Sequence, residues 1–132
     1  MTTTAIDRRA VTRGWLAGLP WLVVAVVLQI ALIAASDDPS DAWAVALLGL
    51  LLVGFGRAGA VTASQVQHRV LTHGAVAAGT LLLTWIPVRL AVALVGDSDR
   101  PLAGLGAAIA VAVLAGMTGA FFVRRKQGDS VD

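Results

Sequence analysis

VLTHGAVAAGTLLLTWIPVRLAVALV, residues 70–95, carries a single full charge, Arg89, in a run that is otherwise apolar or small. It exceeds the eighteen or so residues that mark a spanning helix, because about 20 residues at 1.5 Å rise cover a hydrocarbon core roughly 30 Å thick. Residues 15–35, 42–63 and 102–123 read the same way. The connections at 36–41, 64–69 and 96–101 are short, and such loops force neighbouring helices antiparallel. Asp37, Asp38, Pro39 and Ser40 form a turn cluster, and Pro101 stands at the first turn of the last helix, where its missing N–H costs nothing. The expected fold is an all-α membrane protein, a four-helix antiparallel transmembrane bundle. A cytoplasmic segment at 1–14 precedes the transmembrane domain at 15–123, and a basic-then-acidic cytoplasmic tail follows at 124–132.

Composition agrees. Of 132 residues, 58% are hydrophobic and 14% charged, far from the soluble average of about half apolar and a quarter charged. The chain has no cysteine, which excludes disulfides, thiolate metal sites and thiol nucleophiles. Glutamate and tyrosine are also absent, so acid–base chemistry would fall to aspartates, two histidines or hydroxyls. The sequence pI near 10.5 does not point to nucleic acid, because the basic residues are divided among loops and ends instead of forming a stripe.

That division sets orientation, since Lys and Arg in loops and ends are retained on the cytoplasmic side. Arg8, Arg9 and Arg13 precede the first span, Arg69 lies in the second loop, and Arg124, Arg125 and Lys126 follow the last span. Both termini are expected in the cytoplasm of a plasma-membrane protein, with Asp37, Asp38, Asp41, Asp97 and Asp99 outside. Trp15 and Trp43 fall at the expected interfaces. A cleaved signal peptide is the competing reading of the first 36 residues. The apolar stretch is too long for an h-region of about 7 to 15 residues, and Asp7 beside Arg8-Arg9 speaks against a twin-arginine signal.

At an ungapped offset of sixty residues Arg9 matches Arg69, Thr12 Thr72, Gly14 Gly74, Ala17 Ala77 and Asp37 Asp97. Gly56, Gly59 and Ala60 match Gly116, Gly119 and Ala120. Loops fall on loops, which suggests a duplicated helical hairpin with parallel repeats about the membrane normal. The alternative is two similar hairpins arising from Ala, Val, Leu and Gly bias.

Lipid tails are as apolar as leucine, so spans associate through close backbone approach. Helix-packing faces are expected at Gly14 and Gly18, at Gly56, Gly59 and Ala60, and at Gly74 and Ala78. The fourth span carries the strip Gly104, Ala108, Ala112, Gly116 and Ala120. This strip serves packing within the chain or, in a homodimer, the seam between copies.

Arg89 lies roughly 9 Å inside the end of the third span. Helical side chains lean toward the N-terminus, here deeper into the bilayer. Pro87 frees a carbonyl one turn earlier, and Trp85 lies four residues before Arg89 on the same face. Under the sixty-residue overlay Arg89 matches Gln29, so one reading is an intramembrane polar layer of Gln29, Arg89, Trp85 and Pro87, with Arg57 as a second buried cation. The other has Arg89 and Arg57 snorkelling to opposite surfaces, Arg89 toward Asp97 or Asp99. The outer aspartates lack EF-hand spacing and read as solvated loop charges, not a metal site. His68 and His73 are five apart, not four, and are expected at the cytoplasmic interface with Gln65 and Gln67, near lipid headgroups. No catalytic, cofactor-binding or metal-binding residue is identified.

The stretches LTHGAVAAGTLLLTWIPVRL and AGMTGAFFVRRK resemble the second half of small four-span membrane proteins of high-GC Gram-positive bacteria, a group without an assigned activity. The matching residues are His73, Gly74, Ala75, Ala77 and Ala78, then Gly116, Gly119, Arg124 and Arg125. The resemblance implies a plasma-membrane location and no particular chemistry. Two functions compete. One is a noncatalytic accessory or assembly subunit with a membrane-protein partner or a second copy of itself; the other is a small dimeric transporter or channel favouring an anionic solute through Arg89 and Arg57. An intramembrane enzyme is not supported, because no span contains a carboxylate or thiol and neither histidine lies deep.

Cysteines placed singly at Ser40 and Gln127 should be labelled by membrane-impermeant reagents from opposite sides of the membrane. Labelling of both from one side would remove the four-span reading.

Overall fold

The computed structural model describes residues 5–35, 41–95 and 105–128. They form four helices, α1 (Arg8–Ala35), α2 (Asp41–Ala63), α3 (Val70–Val95) and α4 (Leu105–Gly128), with no strand among the described residues. Each helix contains a stretch long and apolar enough to cross a membrane. The fold is the expected all-α bundle.

Helix α1 begins at Arg8, a turn and more before the apolar span. The cause is Asp7, whose Oδ1 accepts from the Arg9 N–H at 2.9 Å and the Ala10 N–H at 3.2 Å. An aspartate in that position satisfies two otherwise orphaned donors and complements the positive end of the helix dipole. At the other end of the chain α4 runs past its apolar span through Arg124, Arg125 and Lys126, cations suited to a helix C-terminus. Pro20 and Pro87 lie inside α1 and α3. The loop after α2 winds down through Ser64 N–H to the Ala60 carbonyl at 3.0 Å and Gln65 N–H to the Thr62 carbonyl at 3.1 Å. Arg69 closes the loop with a φ of 51°. That left-handed conformation disfavours a residue with a Cβ by roughly 1–2 kcal/mol.

Helix α1 packs on α2 and α3, and α4 packs on the same two helices from the other flank. Helices α2 and α3 touch, whereas α1 and α4 do not among the described residues. The core runs along the middle of this arrangement and is filled by Leu22, Phe55, Leu81, Leu82 and Trp85, with Ala58, Ala77, Ala78 and Ala112 between them. A smaller cluster of Ala63, Val70 and Ala120 seals the end near the α2–α3 loop.

The tightest backbone-to-backbone approach at a glycine is between α2 and α4. A methyl group built on Gly59 would overlap the backbone of Gly116, and one on Gly119 would overlap the backbone of Gly56. Here only glycine permits the crossing. The two contacts exchange under the sixty-residue overlay, which maps Gly56 to Gly116 and Gly59 to Gly119, so this crossing has a local two-fold character. The bundle does not share it, because a two-fold that carries α2 against α3 would also carry α4 against α1. A second close approach brings Gly74 to Gly116 and Ala120, where a methyl on Gly74 would stand 2.8 Å from the Gly116 oxygen and 2.7 Å from the Ala120 Cβ. Gly14 of α1 abuts Thr62 and Ala58 of α2, and Gly18 abuts Gly54 and Leu81.

Gly59→Ala should destabilise the bundle by about 1–3 kcal/mol, as overpacking of a close-packed contact does. Gly79→Ala has nothing within 4 Å of the new methyl and should be neutral or stabilising by up to about 1 kcal/mol through helix propensity. Unfolding of both variants in detergent micelles checks the contrast; equal effects would contradict the crossing.

Candidate functional site

The expected helix-packing residues serve packing inside this chain. Gly14, Gly18, Gly59, Gly74, Ala78, Ala112, Gly116 and Ala120 are buried, while Gly56, Ala60 and Ala108 are half-buried. Three of the four described positions of the α4 strip, Ala112, Gly116 and Ala120, are therefore enclosed by α2 and α3; Gly104 lies outside the described residues. The outer aspartates at 37, 38, 97 and 99 lie outside them too, as does the Asp41 side chain. No group of three metal-ligating side chains occurs among the described residues.

The Arg89 guanidinium lies over the Trp85 ring, 5.0 Å from its centroid. The pair is separated by one helical turn, so the stack follows from helix geometry, and the electron-rich ring face attracts the cation. Trp85 is 2% exposed, and its indole Nε1 is buried without a hydrogen-bond partner. Pro87, between the two, is exposed, and Arg89 is half-buried. Gln29 is half-buried and makes no hydrogen bond among the described residues. Hydrogen bonds between the α1 and α3 sides join residues 66 and 69 apart, and Gly18 meets Leu81, so every one of these offsets exceeds sixty. This register carries Gln29 about one to two turns beyond the level of Arg89.

Arg57 stands apart from that group. It is exposed on α2 and lines a lateral groove with Ala17, Pro20, Trp21 and Val24 of α1. A second lateral groove, about 470 Å³, lies between α2 and α4 beside the glycine crossing, with Leu52, Gly56, Leu114, Thr118 and Phe122 on its walls.

His73 departs from expectation. It is buried at 7% exposure, whereas His68 is exposed. The His73 Nδ1 lies 3.0 Å from the Arg69 carbonyl, and Nε2 lies 3.2 Å from the Asp7 N–H. A carbonyl accepts only, so Nδ1 donates to it and Nε2 receives the Asp7 N–H. The Arg69 carbonyl also accepts the His73 N–H at 3.1 Å. Trp15 likewise turns inward, its Nε1–H donating to Thr84 Oγ1 at 2.9 Å. Buried Thr62 lies 3.3 Å from the Ala10 carbonyl and 2.9 Å from the Ala58 carbonyl. Arg13 donates to Gln65 Oε1 at 3.0 Å. These four contacts tie α1 to the rest of the bundle, and only Asp7, an N-cap residue ahead of an apolar run, announces itself in the sequence.

Comparisons find no matching protein-family model, curated protein or solved structure. Function must be argued from these residues.

A double-mutant cycle of Trp85→Leu and Arg89→Leu should return a coupling of about 0.5–2 kcal/mol for the stack. Additive effects of the two substitutions on unfolding would show that the stack contributes nothing.

Proposed function

We propose that the chain is a noncatalytic accessory or assembly subunit of the plasma membrane, recognising a membrane-protein partner or a second copy of itself. The observation that carries this reading is how the bundle interior is used. Phe55, Leu81, Leu82 and Trp85 fill it, and the small faces that would otherwise serve a partner close on one another within the chain. Recognition then falls to features left outside. These are the exposed basic turn Arg124, Arg125 and Lys126 at the end of α4 and the groove between α2 and α4. The resemblance to small four-span proteins of high-GC Gram-positive bacteria supports the plasma-membrane location, and the distribution of basic residues supports cytoplasmic termini.

Intramembrane catalysis finds no support in the residue types. The spans hold no carboxylate or thiol, and the buried imidazole of His73 is committed to two hydrogen bonds. A second reading, a dimeric transporter or channel for an anionic solute, draws on the exposure of Arg57 in the α1–α2 groove.

Co-purification of the tagged chain from native membranes should recover a stoichiometric partner, and Arg124→Gln, Arg125→Gln, Lys126→Gln in combination should lower its yield several-fold. Recovery of the chain alone, together with anion flux in liposomes that Arg57→Gln abolishes, would replace the accessory role with transport.

A further inference from the structure

The α1–α2 groove measures about 560 Å³ and opens on the outside of the bundle, within the roughly 300–1,000 Å³ of small-molecule sites. Arg57 is its one charge. The residue sits inside the apolar stretch of α2, roughly 9 Å from the helix end at Ala63, a distance a long side chain spans in reaching toward the headgroup level. Arg57 is exposed and has neither a hydrogen bond nor an ion pair with any described residue. The nearest acid in sequence to this part of α1, Asp7, is occupied in capping that helix. A cation on the lipid-facing side of a span calls for an anion from outside the chain, because hydrocarbon cannot solvate it.

The walls indicate the kind of anion. Ala17, Pro20 and Val24 give an apolar track along α1. Trp21 adds an indole N–H that makes no hydrogen bond among the described residues. A soluble anion would leave this track unused, whereas an amphiphile fills both parts. Guanidinium binds phosphate oxygens in pairs, and the phosphodiester is the anion that the bilayer itself presents to a lipid-facing cation. We propose that the α1–α2 groove binds an anionic glycerophospholipid from the leaflet at the basic end of the bundle. Arg57 pairs with its phosphate, and an acyl chain lies along Pro20 and Val24.

The inference does not rest on the accessory role, because retention of lipid is read on the isolated chain. Full-length protein in detergent, mixed with equal amounts of phosphatidylglycerol and phosphatidylcholine, is analysed by native mass spectrometry. The wild type should retain phosphatidylglycerol with roughly tenfold preference, about 1.4 kcal/mol. Arg57→Gln should abolish that preference. Ala17→Phe, which fills the groove and keeps the charge, should abolish it as well, with circular dichroism confirming that both variants are folded. Excess inorganic phosphate should not displace the lipid. Equal preference in the wild type and both folded variants, displacement by inorganic phosphate, or a dimer that covers the groove and excludes lipid would each overturn the proposal.

Discussion

Removing water from around a helix removes the force that holds soluble bundles together, and what remains is how closely two backbones can come. In this chain that limit is reached where α2 crosses α4. Gly59 rests on Gly116 and Gly119 on Gly56, with no room for a side chain at Gly59, Gly116 or Gly119. The rest of the arrangement follows from this crossing. With α4 drawn tightly onto α2, α3 packs into the angle between them through Gly74 and Ala78, and the large side chains of Phe55, Leu81 and Trp85 occupy the wider space on the other side. Dispersion between closely fitted atoms takes the place of apolar burial as the source of cohesion.

The same constraint separates what the sequence tells from what it does not. Helix number, type and approximate limits are legible because run length and short loops are properties of the chain alone, and the third helix ends where its apolar run ends. Helix ends that project beyond the apolar stretch are less so, because Asp7 and the cations after Val123 extend α1 and α4 by capping and not by hydropathy. Small-residue strips locate the contact faces, but cannot say which helix each strip meets. That depends on crossing angles, which arise only when all four helices are present. The α1–α3 register is illegible for the same reason. An overlay at sixty residues sets Gln29 beside Arg89, whereas the contacts of Asp7 with His73 and Trp15 with Thr84 impose a longer offset.

Two arginines occupy comparable depths from opposite ends, and the bundle treats them differently. Arg89 is half-buried and supported by the face of Trp85, a residue anchored in the core. Arg57 stands on the outside beside Pro20 and Trp21. A guanidinium stays protonated in any accessible environment, so each must find its stabilisation in geometry. For Arg89 the chain supplies at least part of it; for Arg57 the surroundings do. The sequence gives both residues equal standing, and only the packing of neighbouring helices tells them apart.

The link between Asp7 and His73 bears on the order in which the molecule is made. Sixty-six residues separate the two ends of that bond, and synthesis delivers the Asp7 end first. A nascent hairpin of α1 and α2 can already bring Gly14 against Thr62, yet the entry to α1 has no imidazole to meet until the third span emerges. Final seating of the amino-terminal turn is thus a late event in biogenesis, completed only when the start of the third span has followed the first hairpin out of the ribosome.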